Sequence, residues 1–241
     1  MIAIVLEFAE GGSLDTALKA NFKSGWNWSD PLLKIVIDIA SGLEFMHRTP
    51  YYDDATQTLQ NTILHRDMKP SNVLLTKSLT AKLADFGTSK AIDQSAEQTI
   101  VGTPVFMAPE VYQGGMYDHS ADVFSFGMTV WAISVGHDKL FKRLIKKMRR
   151  KVGANSAAVQ KVMHAIAVGE LRPSLTEEVH NNMPASLRTL IESCWLHNKR
   201  QRPKVSEVLT TLKTTVSADI EAMFKSKLRF EVESLRGPTR G

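Results

Sequence analysis

Four side chains in one short stretch of the chain could together move a charged group: Asp67, Lys69, Asn72 and Asp85. An aspartate can orient a hydroxyl and accept its proton, and a lysine two residues on can set a point charge against an anion. The amide oxygen of Asn72 and the carboxylate of Asp85 are hard oxygen donors of the kind magnesium prefers. The four stand in HRDMKPSN, His65 to Asn72, and in DFG, Asp85 to Gly87; a third segment, APE, follows at Ala108 to Glu110. Any one triplet is common by chance. Their order, and the patterns between them, are not.

Those patterns supply the elements that must position the four. Ser29, Asp30 and Pro31 open a helix whose Leu32, Leu33, Ile35, Val36, Ile39, Leu43 and Met46 recur at helical spacing up to an end near His47. Short strands are predicted at Val73 to Leu75 and Ala81 to Leu83, with a turn at Lys77 to Leu79. Met1 to Phe8 reads as a buried strand broken by Gly11 and Gly12, and Ser13 as the cap of a short helix through Leu18. Arg48 to Thr62 and Thr88 to Thr103 are polar and aperiodic, as surface loops are. Beyond Pro109 the pattern is helical: Ala121 to Val135, Leu140 to Val152, Ala157 to Val168, Ala185 to Leu196 and Val205 to Val216, with Arg236 to Gly241 frayed.

Taken in order, HRD, DFG and APE resemble the protein kinase family. The resemblance implies a reaction that passes the gamma-phosphoryl group of ATP to a hydroxyl of a protein substrate, with Asp67 as base and Lys69 beside the transferring group. Asn72 and Asp85 would hold Mg2+. His65 and Phe86 would pack beneath the site, and Leu74 would form the floor under the adenine ring. Asp122 would hydrogen-bond the catalytic-loop backbone, Thr103 would bond Asp67 and Lys69, and Glu110 with Arg202 would form a buried ion pair. Lys69 with Pro70 and Ser71, and the segment GTPVFMAPE, resemble serine/threonine kinases; DVFSFGMTVW, Asp122 to Trp131, is similar to their tyrosine-kinase-like group. IVLEFAEGGSL resembles the hinge between kinase lobes. There Leu6 would be the gatekeeper, the Glu7 carbonyl and Ala9 amide would meet the adenine, and Ser13 would lie near the ribose. Thr99 would carry a regulatory phosphate bound by Arg66.

The implied fold is α+β but mainly α: a kinase large lobe with the hinge strand, the small N-terminal lobe absent. Residues 1–13 would be the last small-lobe strand and hinge. Residues 14–216 would be the large lobe, with its catalytic loop at 65–72 and activation segment at 85–110, and residues 217–241 a helical extension with a frayed tail. No GxGxxG loop, VAIK-type lysine or partner helix glutamate occurs in the sequence, so the expectation is a fragment with little activity by itself. The competing expectation is a silent, pseudokinase-like scaffold or binding module. Intact Asp67, Lys69, Asn72 and Asp85 favour the enzyme.

Composition sets the outer bounds. In 241 residues, 43% hydrophobic and 23% charged, there is enough apolar material for a sizeable core, which excludes a disordered chain. One cysteine, Cys194, allows no internal disulfide, and no apolar run reaches the roughly 20 residues a bilayer span needs. The cytoplasm is the expected compartment, with the nucleus as the alternative. Lys139 to Lys151 holds eight basic residues and no acid, more than the whole net charge of +5. Basicity is therefore local and argues poorly for nucleic-acid binding; the run reads as an amphipathic helix with a basic face, its alternatives being a dock for an acidic partner, contact with an anionic membrane and nuclear targeting. His47, His137 and His164 stand alone, without metal-ligand spacing.

Overall fold

The computed structural model describes residues 5–21, 25–53, 57–60, 62–85, 104–135, 161, 164–166, 168–169, 171–173, 175 and 183–235. Its architecture is mainly helical with a small sheet. The predicted apolar stripe makes α2, Leu32–Arg48, and buries Leu32, Ile35, Val36, Ile39, Leu43 and Met46. The turn before it is organised by Asn27, whose side-chain oxygen accepts from the amides of Ser29 at 2.9 Å and Asp30 at 3.1 Å.

Three short strands form an antiparallel sheet in the order β1 (Gly12–Ser13), β4 (Val73–Leu75), β5 (Ala81–Leu83). Ser13 lies opposite Leu74, and Leu74 opposite Lys82. The strands meet closely at Gly11, whose amide donates to the Leu75 carbonyl at 2.8 Å; a Cβ there would stand 2.8 Å from the same oxygen. Ser13 also caps α1, Leu14–Asn21, by accepting the Thr16 amide at 3.3 Å, and the helix runs three residues past the expected Leu18.

The helix α4, His119–Val135, sits in the middle of the core with nearly all its residues buried, among them Phe124, Phe126 and Met128. A helix apolar on every side must be covered on every side. It packs against α2 and against a helix at Ala185–Cys194, here α5. A Cβ on Gly127 would lie 2.8 Å from the Cβ of Cys194, so this crossing needs glycine. The short α3, Pro109–Tyr112, precedes α4. The helix α6, Val205–Thr211, packs on α2, continues through a π-helical turn at Leu212–Val216 and leads into α7, Ser217–Leu235.

Two expectations are corrected. The buried strand at Met1 to Phe8, read as the last small-lobe strand, is not formed at residues 5–9: they have no regular structure, and Val5, Leu6 and Phe8 are exposed. An extended segment needs a hydrogen-bonding neighbour, and among the described residues none pairs with this one. Within the loop Arg48 to Thr62 lies a hairpin of β2 (Tyr51–Asp53) and β3 (Thr58–Gln60), with Tyr52 opposite Leu59. The expected helix at Leu140 to Val152 with its basic run, the loop Thr88 to Thr103 and the tail Arg236 to Gly241 lie outside the described residues, as does most of Ala157 to Val168.

Candidate active site

The connection from α2 to β4 carries HRDMKPSN. Pro70 starts a single 3-10 turn, Pro70–Asn72, closed by the Asn72 amide on the Lys69 carbonyl at 3.0 Å. That turn points Lys69 and Asn72 back at Asp67. The Lys69 ammonium donates to Asp67 Oδ2 at 2.6 Å, and the Asn72 amide nitrogen donates to the same oxygen at 2.8 Å and to the Asp67 carbonyl at 2.8 Å. Asp67 keeps 30% of its side chain exposed and Lys69 17%, so a reacting group can reach both.

The loop is held from below by Asp122 on α4, which is 0% exposed. Its Oδ2 accepts the His65 amide at 2.9 Å and faces His47 Nε2 at 2.8 Å. Its Oδ1 accepts the Arg66 amide at 2.9 Å and the Tyr117 hydroxyl at 2.7 Å. Burial works against the charge on Asp122, but the His47 contact and the two backbone amides outweigh it and hold this carboxyl below its ordinary value. His65 is also 0% exposed; burial lowers its basicity despite the nearby Asp122 charge. Arg66 and Asp85 both adopt left-handed backbone, φ 69° and 65°. Such conformations cost of order 1–3 kcal/mol for a residue with a Cβ and persist where the surroundings impose them.

Asp85 follows β5, and the Ala84 amide donates to the Asn72 carbonyl at 2.9 Å, tying the two metal candidates together through the backbone. The amide nitrogen of Asn72 is committed to Asp67, which leaves its oxygen to take a cation. With the exposed Asp85 carboxylate this makes an all-oxygen donor pair that fits magnesium. No cluster of three or more His, Cys, Asp or Glu side chains that could by itself hold a metal occurs among the described residues.

A second constellation joins Glu110 in α3 to Arg202. The guanidinium, its side chain 0% exposed, donates to Glu110 Oε1 at 2.6 Å and Oε2 at 2.9 Å, and also to the carbonyls of Leu196 at 2.8 Å and Ser120 at 2.9 Å. It fastens α3 to the turn before α6.

A model of the protein kinase domain matches residues 1–212. The chain belongs to the protein kinase family. This kinase chain is 34% identical over 215 residues to serine/threonine-protein kinase STY46 of Arabidopsis thaliana and 32% over 215 residues to STY17 of the same plant. It is 35% identical over 222 residues to seven transmembrane domain-containing tyrosine-protein kinase 1 of Dictyostelium discoideum. Each alignment covers 88% of this chain but 31%, 32% and 27% of the relative, so the chain spans a third or less of their length. No helix among the described residues of this kinase chain is long and apolar enough to cross a membrane.

The residues expected to meet the nucleotide are less tightly gathered. Ser13 and Leu74 are cross-strand neighbours, with Leu74 partly buried. Leu6 is 78% exposed, Glu7 reaches Lys82 Nζ at 2.7 Å, and the Ala9 carbonyl accepts the Gly12 amide at 3.2 Å. Phe86, Thr99 and Thr103 lie outside the described residues. Two residues were missed: Tyr117 and His47, both on Asp122. Tyr117 stands five residues before Asp122 and could have been sought there; nothing local marks His47.

Proposed function

We propose that this chain carries the phosphoryl-transfer site of a serine/threonine protein kinase, as a large lobe with its hinge, residues 1–13 being the hinge and residues 14–216 the lobe. The observation that carries this is the convergence of Lys69 and Asn72 on Asp67 Oδ2, above a loop whose amides are bound by a buried carboxylate. A silent scaffold has no chemical need for that arrangement. Asp67 orients a Ser or Thr hydroxyl of a protein substrate and takes its proton as the oxygen attacks the gamma-phosphorus of ATP. Lys69, within reach of Asp67, sets its positive charge where the phosphoryl group passes. Asn72 and Asp85 are the residues that would hold magnesium, which when bound neutralises charge on the phosphates. Ser13 and Leu74 offer one edge and the floor of the nucleotide site, with backbone groups of Glu7 and Ala9 facing the ring. Thr99 is the proposed regulatory phosphosite and Arg66 its partner.

The test uses the full-length protein with ATP, magnesium and a peptide mixture presenting Ser and Thr. Phosphoserine or phosphothreonine should form, and Asp67→Ala should lower kcat by about two to four orders of magnitude while nucleotide affinity stays within about twofold. An inactive parent, or a variant with comparable kcat, overturns the reading.

A further inference from the structure

Arg66 precedes the proposed base; its backbone is left-handed and its amide is bound to Asp122. Its guanidinium carbon lies 5.9 Å from the centroid of the Tyr117 ring, and its Nε is buried with no hydrogen-bond partner among the described residues. The same Tyr117 donates its hydroxyl to Asp122 Oδ1, the oxygen that accepts the Arg66 amide. One side chain thus meets Arg66 at both ends: the ring faces the guanidinium, and the hydroxyl steadies the carboxylate that fixes the backbone.

We infer that Tyr117 is a positioning residue for phosphoryl transfer, holding Arg66, and through it Asp67, in the reactive geometry by way of Asp122. Tyr117 lies in the connection from α3 to α4, and that connection is itself anchored. Asp118 Oδ2 accepts from Lys199 Nζ at 2.6 Å, and the Gly115 amide donates to the Glu110 carbonyl at 2.7 Å. The phenol is therefore offered from a fixed frame. Burial, the Asp122 charge and the hydrogen bond to it raise the Tyr117 hydroxyl well above its ordinary value, so it remains a donor throughout the working pH range. His47 occupies the equivalent place on Oδ2, beside the His65 amide. Each carboxylate oxygen so binds one loop amide and one side chain. The base is one residue beyond the amide that Tyr117 supports, so a small shift there moves its carboxylate relative to the reacting hydroxyl.

This inference rests on the kinase reading above, and the experiment separates the two. In the full-length protein, Tyr117→Phe keeps the ring and removes the hydroxyl. It should lower kcat about tenfold, leave KM for ATP and peptide within about twofold, and speed amide exchange of His65 and Arg66 while α4 stays protected. Tyr117→Leu, which also removes the ring, should lose more. Unchanged kcat in Tyr117→Phe with an active parent overturns the inference and leaves the kinase reading standing. With an inactive parent the kinase reading fails and the inference falls with it; with an active parent, faster exchange confined to the loop supports the inference, whereas unchanged exchange, or faster exchange throughout α4, overturns it.

Discussion

The Asp67 loop and the arm at residues 5–9 carry groups proposed to serve one reaction, yet they are built differently. Under the loop, a fully buried Asp122 makes four contacts of 2.7 to 2.9 Å, to side chains from α2 and the α3–α4 connection and to the loop's own amides. The arm has an ion pair between Glu7 and Lys82, side chains 63% and 43% exposed, and apolar residues that face solvent. The difference matches the roles proposed for the two regions. A base and its charge partners act over tenths of an ångström, so their donors must be fixed before the reaction begins. Contacts to a flat ring come from main-chain groups, and here sheet register already brings Ser13 beside Leu74.

The sharpest way to break the comparison is to cut one ion pair of each kind. Arg202→Ala leaves the largely buried Glu110 carboxylate and three carbonyls without their donor, and should cost roughly 3–5 kcal/mol, or about 10 °C in Tm for a chain of this size. Lys82→Ala removes an exposed partner and should change stability by less than about 0.5 kcal/mol. Thermal melts of the two variants check both, and equal losses would mean that burial does not set a buried ion pair apart from the exposed pair of the arm.

A smaller effect comes from pH. His65 has a folded-state pKa below its unfolded value because burial disfavours its charged form. As pH falls through the unfolded value of about 6.5, the unfolded chain takes up a proton that the folded loop refuses, so stability is lost on acidification, by at most about 1.4 kcal/mol per pH unit. The loss continues down to the lowered folded pKa. Melting curves between pH 7.5 and 5.5 should show the slope in the parent, and His65→Gln should flatten it. A parent whose melting is independent of pH would place His65 in water.

Much of the helical frame was legible from its apolar residues: α2 and α5 each show a buried stripe at helical spacing, α4 is a long apolar run buried all round, and the short strands β4 and β5 sit between turn residues. The constellation at Asp67 was legible because its members are only five residues apart and one turn brings them together. What was not legible is long-range or partner-dependent. The apolar residues Val5, Leu6 and Phe8 have the composition of a strand, but composition does not provide a neighbour to pair with. The hairpin at Tyr51–Gln60 is hidden in a polar stretch, where Tyr and Thr form strands with little apolar alternation. His47 lies 75 residues from Asp122, and only the crossing of α2 with α4 brings their side chains together.

The claim at the centre of this account is that the Asp67 loop, the proposed catalytic loop, is organised by Asp122 before any ligand binds. Residue-resolved amide exchange on the ligand-free protein tests it directly, since the amides of His65 and Arg66 point at a buried carboxylate while the arm stands in solvent. The account predicts that these two amides exchange at least about a thousandfold more slowly than those of Leu6, Glu7 and Phe8. Comparable rates in the two regions would contradict it.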